Sequence, residues 1–386
     1  MMWPKLVANK LFHKASGSNG FVADFDYWEA PPAASSSNAL LPSPPPEPSF
    51  HHQTDTTGLN YKLFVSTWNV GGMPPSANID LDDWLETTEI YDIYVLGFQE
   101  IVPLSARNIL GPERSSISTK WTSLIRSTLN KSTSAASLEG KDFQCIVSKQ
   151  MVGLFVSVWV RGDRRRDFRH PSVSYVGCGL LGCLGNKGSV SLRFFLHETS
   201  LCFVCCHLAS GGKEGDEMHR NSDAMEIFSR TSFPQGSSSN LPQKILDHDR
   251  IILLGDLNYR ISLPEDTTRW LVEQKKWNVL LEKDQLRCEL VEGRAFEGWN
   301  EGKIRFSPTY KFYPNSDEYY GCIQGKKHNK KKAPAWCDRI LWHGKGVKQR
   351  WYERCDSKLS DHRPVRAIFT IEVEAPTSKL SCLLKM

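Results

Sequence analysis

Ile251-Ile252-Leu253-Leu254-Gly255-Asp256-Leu257-Asn258-Tyr259-Arg260 is the stretch from which the fold can be predicted. Its four consecutive aliphatic residues, without polar alternation, predict a strand buried on both faces, and Gly255 then lets the backbone leave the sheet. If the extended direction continues, Asp256 and Asn258 point to the same side, where a carboxylate can deprotonate water and an amide can donate to an anionic oxygen. The alternative is a turn in which both side chains satisfy local backbone groups.

The composition describes a globular protein with a sizeable core. The chain has 386 residues, of which 40% are hydrophobic and 24% are charged. The net charge of +5 is too small for a protein that coats nucleic acid, so no nucleic-acid partner is expected, but it suits an anionic substrate if the surplus is local. The 11 cysteines are scattered and are expected to be reduced thiols. No signal peptide or membrane span is predicted, and we expect a monomer in the cytoplasm, with a nuclear fraction as a second compartment.

The chain divides into three predicted regions. Residues 1–59 are interpreted as a tail and a Pro/Ser-rich disordered linker, residues 60–373 as one folded domain, and residues 374–386 as a second tail. Lys5, Lys10 and Lys14 precede any acidic residue, which leaves open a short basic helix at an anionic membrane or a frayed end. A run of three arginines, residues 164–166, is interpreted as a solvated turn, with membrane contact or nuclear import as the alternative.

Short apolar segments alternate with helical patterns through the predicted domain, which indicates an α/β protein. Strands are predicted at residues 62–70, 93–98, 143–147, 154–160, 173–177, 188–195, 201–206, 251–254 and 365–373, with a further strand entered at 306–312. Helices are predicted at residues 81–88, 121–129, 223–230, 266–273 and 278–288.

Polar side chains stand where these strands end or begin, and such ends converge on one edge of a sheet enzyme. Taken singly, each residue has an ordinary structural explanation, such as a surface carboxylate or a histidine with a packing role. Taken together they predict metal-assisted hydrolysis of a phosphoester by direct attack of water. The residues are Asn69, Glu100, His207, Asp256, Asn258, Asp338 and His362.

Each of these residue types suits one part of that reaction. Asp256 would orient and deprotonate the water, and Glu100 with Asn69 would offer oxygen ligands to Mg²⁺. The donors to the phosphoryl oxygens would be Asn258, His207 and His362, and Asp338 would fix the tautomer of His362. Covalent alternatives fit less well, because the chain has no Cys-x5-Arg loop and no phosphate-binding P-loop.

The positive charge is concentrated in one loop. Residues 326–332 contain five lysines and directly precede Pro334-Ala335-Trp336-Cys337-Asp338-Arg339-Ile340-Leu341-Trp342. A solvated loop or a nuclear-import signal is the ordinary interpretation of such a run. Its position beside the predicted site favours contacts with a substrate that carries several phosphates, for which lysine serves as a mobile point charge.

Nine segments, in this order, resemble the inositol polyphosphate 5-phosphatase family and span about residues 60–373. The pair formed by residues 255–260 and 334–341 is highly specific to that family, whereas an Asp-x-Asn with a late Ser-Asp-His is shared with DNase I-like and apurinic endonucleases. Residues 2–10 and 21–25 resemble plant type I members. The segments are Trp68-Asn69-Val70-Gly71-Gly72, Phe98-Gln99-Glu100, Gly185-Asn186-Lys187-Gly188, His207-Leu208-Ala209-Ser210, Arg220-Asn221-Ser222-Asp223, Gly255-Asp256-Leu257-Asn258-Tyr259-Arg260, Pro308-Thr309-Tyr310-Lys311-Phe312, Pro334 to Leu341 and Ser360-Asp361-His362-Arg363-Pro364-Val365.

The resemblance implies a four-layer α/β sandwich, in which two mixed sheets pack face to face with helices outside. It also implies Mg²⁺-dependent removal of the 5-phosphate from inositol phosphates, phosphoinositides or both, in phosphoinositide signalling. By the same resemblance Asp361 joins the catalytic residues named above. The positions that match substrate-binding residues are Tyr310, Lys311, Lys330, Lys332 and Arg339.

Two features depart from the family pattern and two rival functions remain. The region before Gly255 is compact beside the long insertions of some plant relatives, and Lys332 stands where an arginine is common, which weakens bidentate phosphate recognition.

A DNA endonuclease would need a broad basic face rather than one basic loop. A non-catalytic phosphoinositide-binding protein should have lost at least one of the catalytic residues.

Overall fold

The computed structural model describes residues 58–76, 79–111, 113, 115–131, 142–179, 184–235, 240–321 and 332–375. Several predictions lie outside these residues: nearly all of the N-terminal tail with its lysines, most of the lysine-rich loop with Lys330, and nearly all of the C-terminal tail.

Twelve strands and seven helices make up the described part of the chain. The strands are β1 Gly58–Asn69, β2 Ile93–Gln99, β3 Phe143–Met151, β4 Leu154–Arg161, β5 Phe168–Gly177, β6 Gly188–Leu196, β7 Thr199–His207, β8 Arg250–Asp256, β9 Asn300–Glu301, β10 Asp338–His343, β11 Val347–Arg354 and β12 Val365–Glu374. The helices are α1 Asp82–Leu85, α2 Ala106–Leu110, α3 Ser115–Leu129, α4 Asp216–Arg230, α5 Glu265–Glu273, α6 Trp277–Leu281 and α7 Gln285–Glu292. Two 3₁₀ helices, Gly162–Asp167 and Ile245–Asp247, complete the regular structure.

The strands form two six-stranded sheets of the same mixed type. The first sheet has the order β11-β12-β1-β2-β4-β3 and the second has the order β5-β6-β7-β8-β10-β9. Within each sheet one pair is parallel, β1 with β2 and β7 with β8, and the other pairs are antiparallel. The parallel pairs bring two strand ends to the same edge, and that edge carries the candidate site.

The core lies in three layers of apolar contact. Between the sheets, the inner faces interdigitate through side chains such as Val95, Phe203 and Leu254. Helices α1 and α3 cover the outer face of the first sheet, and α4 and α7 cover the outer face of the second. Consecutive residues of β8, such as Leu253 and Leu254, therefore pack on opposite faces, which explains its uninterrupted aliphatic run. The predicted four-layer α/β sandwich is confirmed.

Two predicted elements were wrong, and the strands β9, β10 and β11 and the short helix α2 were not predicted. The helix predicted at residues 278–288 is broken, because Asp284 caps α7 by accepting a hydrogen bond from the Arg287 N–H at 2.9 Å. Residues 306–312 form only isolated bridges and no strand. The edge strand β11 was not predicted, since its charged residues conceal the period-2 pattern and a bulge at Gln349 interrupts it.

Candidate active site

Five strands deliver polar side chains to one end of the cleft between the sheets. Asn69 ends β1 and Glu100 directly follows β2, whereas His207 and Asp256 end β7 and β8. In the register of the second sheet, Asp256 pairs with His207 on one side and with Asp338, the first residue of β10, on the other. The four residues inside strands share their strand's face with side chains of the inter-sheet core. Glu100 lies just beyond β2 with a left-handed backbone, φ of 53°, and its carboxylate reaches the same group beside Asn69 and His207.

Asp256 lies at the centre of this group and is 1% exposed. Its Oδ2 atom accepts a hydrogen bond from Asn69 Nδ2 at 2.9 Å and lies 3.3 Å from His207 Nε2 and 3.9 Å from His362 Nε2. Burial opposes ionisation, but the charge of His362 and the contact with His207 hold the pKa of the Asp256 carboxyl well below its usual range. Asp256 is therefore an anion at neutral pH.

His362 is oriented by a carboxylate behind it. Its Nδ1 atom lies 2.9 Å from Asp338 Oδ2, which also accepts a hydrogen bond from Thr309 Oγ1 at 2.6 Å. This contact leaves Nε2 facing Asp256 and the cleft, and the ring of Tyr310 packs at 4.4 Å between centroids. Burial works against protonation, but the carboxylates of Asp338 and Asp256 raise the pKa of His362 to about 9. The imidazole is accordingly a cation at neutral pH.

The surroundings of Glu100 suit a carboxylate that binds a metal cation. Its side chain is 28% exposed, and its Oε1 atom lies 3.4 Å from Asn69 Nδ2 and 3.8 Å from His207 Nε2. No lysine or arginine among the described residues forms an ion pair with it. A single carboxylate that faces the cleft and has no cationic partner fits a hard divalent cation that keeps several waters.

The predicted metal-binding role of Asn69 does not fit its orientation. The amide oxygen of Asn69 accepts a hydrogen bond from the Gly71 N–H at 2.9 Å, and the amide nitrogen faces the two carboxylates. An amide nitrogen donates hydrogen bonds and offers no oxygen to a metal. Asn69 thus orients Asp256 and Glu100 instead.

The trio Asp256, Asp338 and His362 has ligand atoms within 4.8 Å of one another. The contact between His362 and Asp338 already occupies Nδ1 and one carboxylate oxygen, so this trio forms a hydrogen-bonded relay rather than a cation cage.

The backbone conformation at Asn258 differs from the extended one that the sequence predicted. Strand β8 ends at Asp256, and Asn258 has a left-handed backbone with φ of 58°, so the extended direction does not continue. Its Nδ2 donates to the Leu208 carbonyl at 3.2 Å, and its Oδ1 accepts from Arg260 at 2.6 Å. The amide is buried between the Leu208 carbonyl and the Arg260 guanidinium, and its donation to a phosphate stays a prediction.

A basic wall lies beside this group. Lys332 Nζ donates to the Tyr310 hydroxyl at 3.1 Å, and the Arg260 guanidinium lies 4.6 Å from the centroid of the Tyr310 ring. Lys311 pairs with Asp361 at 2.7 Å. The structure therefore places Asp361 against the lysine wall, where it orients Lys311, and its predicted catalytic role stays untested.

Comparisons with known proteins agree with this geometry. The model of the endonuclease/exonuclease/phosphatase family 2 matches residues 66–368. Type IV inositol polyphosphate 5-phosphatase 9 of Arabidopsis thaliana is 59% identical over 387 residues, covering 96% of this chain and 92% of its own. The chain belongs to the inositol polyphosphate 5-phosphatase family.

Two further comparisons agree with this membership. Type I inositol polyphosphate 5-phosphatase 8 of Arabidopsis thaliana is 44% identical over 415 residues, covering 96% of this chain and 86% of its own. The crystal structure of the inositol polyphosphate 5-phosphatase domain of SpSynaptojanin, in complex with inositol (1,4)-bisphosphate and calcium, matches with a TM-score of 0.72 and 31% identity. It covers 85% of this chain and 89% of that domain. The similarity thus extends to relatives named both type I and type IV.

One predicted substrate-binding residue of this 5-phosphatase was misassigned. Arg339 is 0% exposed, and its guanidinium bonds to Asp284 at 2.9 Å and to Glu301 at 2.5 Å. Consecutive residues of a strand point to opposite faces, so Arg339 lies on the side of β10 opposite to Asp338. It cannot reach a substrate in the cleft.

Three polar neighbours in the 5-phosphatase site received no role from the sequence. Thr309 donates to Asp338, Arg260 donates to Asn258, and Lys187 contacts His207 Nε2. Burial lowers the pKa of Lys187 to about 8, although the carboxylates of Asp256 and Glu100 favour its charged form. All three lie inside segments that carried the family resemblance, so the signal was present in the motifs.

The arginine run lies far from the 5-phosphatase site. Arg164 is in the 3₁₀ helix after β4, and the register pairs Val160 of β4 with Ile93, the first residue of β2, whereas Glu100 follows the last. A strand of that length separates them by roughly 20 Å. Among the described residues, no helix is both long enough and apolar enough to cross a bilayer.

Proposed function

We propose that this protein is a Mg²⁺-dependent hydrolase that removes the 5-phosphate from inositol polyphosphates and from phosphoinositides in phosphoinositide signalling. The observation that carries the proposal is the buried anion Asp256, held between two histidines and next to Glu100, a carboxylate with no described lysine or arginine partner. Family membership and the inositol bisphosphate bound by the SpSynaptojanin domain support the substrate class.

The attacking group in this proposal is water. Asp256 orients it and accepts its proton. The new P–O bond forms as the bond from phosphorus to the inositol O5 breaks, and the leaving O5 takes a proton from solvent water. A carboxylate of low pKa suffices as the base, because phosphoryl transfer has a loose transition state that needs little help from the nucleophile. Positioning and charge stabilisation then supply most of the rate enhancement.

The chain's cations stabilise the charge that develops. Protonated His362, held by Asp338, donates through Nε2 to a phosphoryl oxygen. Mg²⁺ at Glu100 would neutralise charge on the phosphate and on the leaving oxygen. Lys332, Lys311 and Tyr310 form the wall that receives a neighbouring phosphate of the same substrate.

The direct test is phosphate release with Mg²⁺ and with EDTA. The substrates are inositol 1,4,5-trisphosphate, inositol 1,4-bisphosphate, vesicles that contain phosphatidylinositol 4,5-bisphosphate and, for the nuclease alternative, duplex DNA. We expect release only from the compounds with a 5-phosphate and only with Mg²⁺, and Glu100→Gln should lower the rate and raise the Mg²⁺ concentration needed for half-maximal rate. Release from none of them would favour the binding-protein alternative, and metal-dependent cleavage of DNA would favour the nuclease.

A further inference from the structure

Arg260 is an arginine beside the active site to which the proposed mechanism gives no role. It lies two residues after Asn258, in the segment that follows β8, and its side chain is partly buried. Its backbone is held separately from its guanidinium, because the Arg260 N–H donates to Gln285 Oε1 at 2.8 Å and the Arg260 carbonyl accepts from the Gln285 N–H at 2.9 Å. A change of the side chain therefore leaves these backbone contacts in place.

The guanidinium of Arg260 contacts three parts of the site. Its Nη2 donates to Asn258 Oδ1 at 2.6 Å, and its Nε donates at 3.2 Å to the carbonyl of Gly211, in the loop after β7. The centroid of the Tyr310 ring lies 4.6 Å from the guanidinium carbon. A guanidinium is planar, so it can donate within its plane and stack an aromatic ring on its face. Arg260 thus joins the segment after β8, the loop after β7 and the basic wall.

The contact with Arg260 determines which end of the Asn258 amide donates hydrogen bonds. A guanidinium has donors and no acceptor, so the amide atom beside it is the oxygen, and Nδ2 lies at the other end. Nδ2 carries two hydrogens, and among the described residues it has one acceptor, the Leu208 carbonyl at 3.2 Å. The second N–H is therefore available to a ligand that accepts hydrogen bonds.

The position of Asn258 also affects the base. The Asn258 backbone N–H donates to Asp256 Oδ1 at 3.1 Å, so one residue orients the carboxylate and carries the amide. Asn258 is 3% exposed, and in such surroundings of low dielectric constant hydrogen bonds polarise one another. A positive charge on the amide oxygen accordingly strengthens donation by the amide nitrogen.

We propose that Arg260 is a positioning residue that holds the Asn258 amide with Nδ2 as the donor to a phosphoryl oxygen of the substrate. Arg260 itself does not touch the substrate and acts through Asn258. The inference about rate rests on the proposed function, whereas the inference about the contact between Arg260 and Asn258 does not.

A double-mutant cycle tests whether Arg260 acts through Asn258. With inositol 1,4,5-trisphosphate, Arg260→Met should lower kcat by roughly 10- to 100-fold, because misplacement of a reacting group has effects of this size. KM should stay within about fivefold, since Tyr310 keeps its contacts with His362 and Lys332. In Asn258→Gly, whose glycine tolerates the backbone φ of 58°, the same change of Arg260 should alter kcat by less than about threefold.

Two further variants complete the kinetic test. Arg260→Lys, which keeps a charged donor, should recover part of kcat when Asn258 is present and none in Asn258→Gly. The matched control is Arg287→Met, an exposed arginine of α7, which should change neither kcat nor KM. An equal loss of kcat with and without the Asn258 amide would overturn the proposal. So would an unchanged kcat in Arg260→Met, with or without a rise of KM.

The contact itself can be measured without any substrate. We would record ¹H–¹⁵N correlations of the arginine side chains in ¹⁵N-arginine-labelled full-length protein and assign Arg260 from the spectrum of Arg260→Lys. A guanidinium held by hydrogen bonds rotates slowly, so its Nη groups should resonate separately in the unaltered protein and exchange faster in Asn258→Gly. Rapid rotation of Arg260 in the unaltered protein would overturn the proposal, and so would unchanged rotation in Asn258→Gly.

Two safeguards separate failure of this inference from other failures. Thermal unfolding of Arg260→Met, Arg260→Lys and Asn258→Gly shows whether each variant folds, and the rotation of Arg260 in the unaltered protein does not depend on the activity of any variant. If the unaltered protein releases no phosphate, the proposed function fails, while the spectra still decide the contact between Arg260 and Asn258.

Discussion

Two buried clusters of charge meet at consecutive residues of one strand, and they are built differently. Asp338 faces the active site, and Arg339 faces the outer side of the second sheet. The charge of Arg339 is fully paired. Its guanidinium donates to both oxygens of Asp284 at 2.9 and 3.0 Å and to both oxygens of Glu301 at 2.6 and 2.5 Å. Tyr352 adds a hydrogen bond to Glu301 at 2.9 Å.

In the active-site cluster, by contrast, some polar atoms have no hydrogen-bond or ion-pair partner among the described residues. Asp338 Oδ1 is buried and has no hydrogen-bond partner among the described residues, and Glu100 lacks a lysine or arginine partner there. Asp256 and Asp338, two carboxylates, also share one imidazole, His362. Buried charges that satisfy one another hold the fold, whereas buried charges that remain partly unsatisfied are available to a ligand, at a cost in stability. The following predictions test this contrast, in order of decreasing effect.

The largest effect is expected for Asp256→Asn. Removing the base should lower kcat by at least about 10³-fold, while the free energy of unfolding falls only modestly, because the lost attraction to His362 is partly offset by the loss of one buried charge. Phosphate release and urea unfolding measure the two quantities. The exposed Asp317→Asn is the control for loss of a carboxylate, and normal turnover of Asp256→Asn would refute the base assignment.

Arg339→Met should show the opposite pattern. It leaves Asp284 and Glu301 buried without their cation, which should lower the free energy of unfolding by about 3–5 kcal/mol, while kcat per folded molecule stays within about threefold. Urea unfolding measures the loss. The matched control is Arg169→Met, because Arg169 is 47% exposed and its partner Glu198 is 44% exposed, so solvent screens this pair and its loss should change stability little. Equal losses in the two variants would remove the distinction between the clusters.

The pH dependence of stability should reveal His362. Its pKa is raised from 6.5 to about 9 in the folded protein, so its ion pairs stabilise the fold fully below pH 6.5 and cease to do so as the pH rises through 9. The unfolding free energy of the unaltered protein relative to His362→Gln should therefore fall by on the order of 3 kcal/mol between pH 6 and pH 9.5. Urea unfolding at several pH values gives this difference, and a constant difference would show that His362 is neutral.

The smallest effect is expected at the basic wall. Lys332→Ala should raise KM for inositol 1,4,5-trisphosphate by up to about tenfold, which corresponds to roughly 1.4 kcal/mol, and leave kcat within about twofold. Lys345→Ala, an exposed lysine in the turn after β10, at the opposite end of that strand from Asp338, should change neither quantity. An unchanged KM in Lys332→Ala would mean that this lysine does not contact the substrate.

Much of the fold could be predicted from local patterns, because those patterns depend on neighbouring residues. The aliphatic run of β8 predicted a strand buried on both faces, and the polar residues after strands predicted a site at the sheet edge. The failures had non-local causes. The helix predicted at residues 278–288 is interrupted because Asp284 is held by Arg339, which lies on a distant strand.

By itself the sequence determined which functional side chains this protein has: the carboxylates and imidazoles, their place at strand ends, and the resemblance to a family of phosphatases. The tertiary structure alone decided which of these side chains contacts which partner. It placed Arg339 outside the cleft, turned the Asn69 amide nitrogen toward two carboxylates, and set Lys187 against His207. The physical reason is that sheet register and backbone turns fix side-chain direction, and a hydrogen-bond role depends on the atoms that end up within about 3 Å of one another.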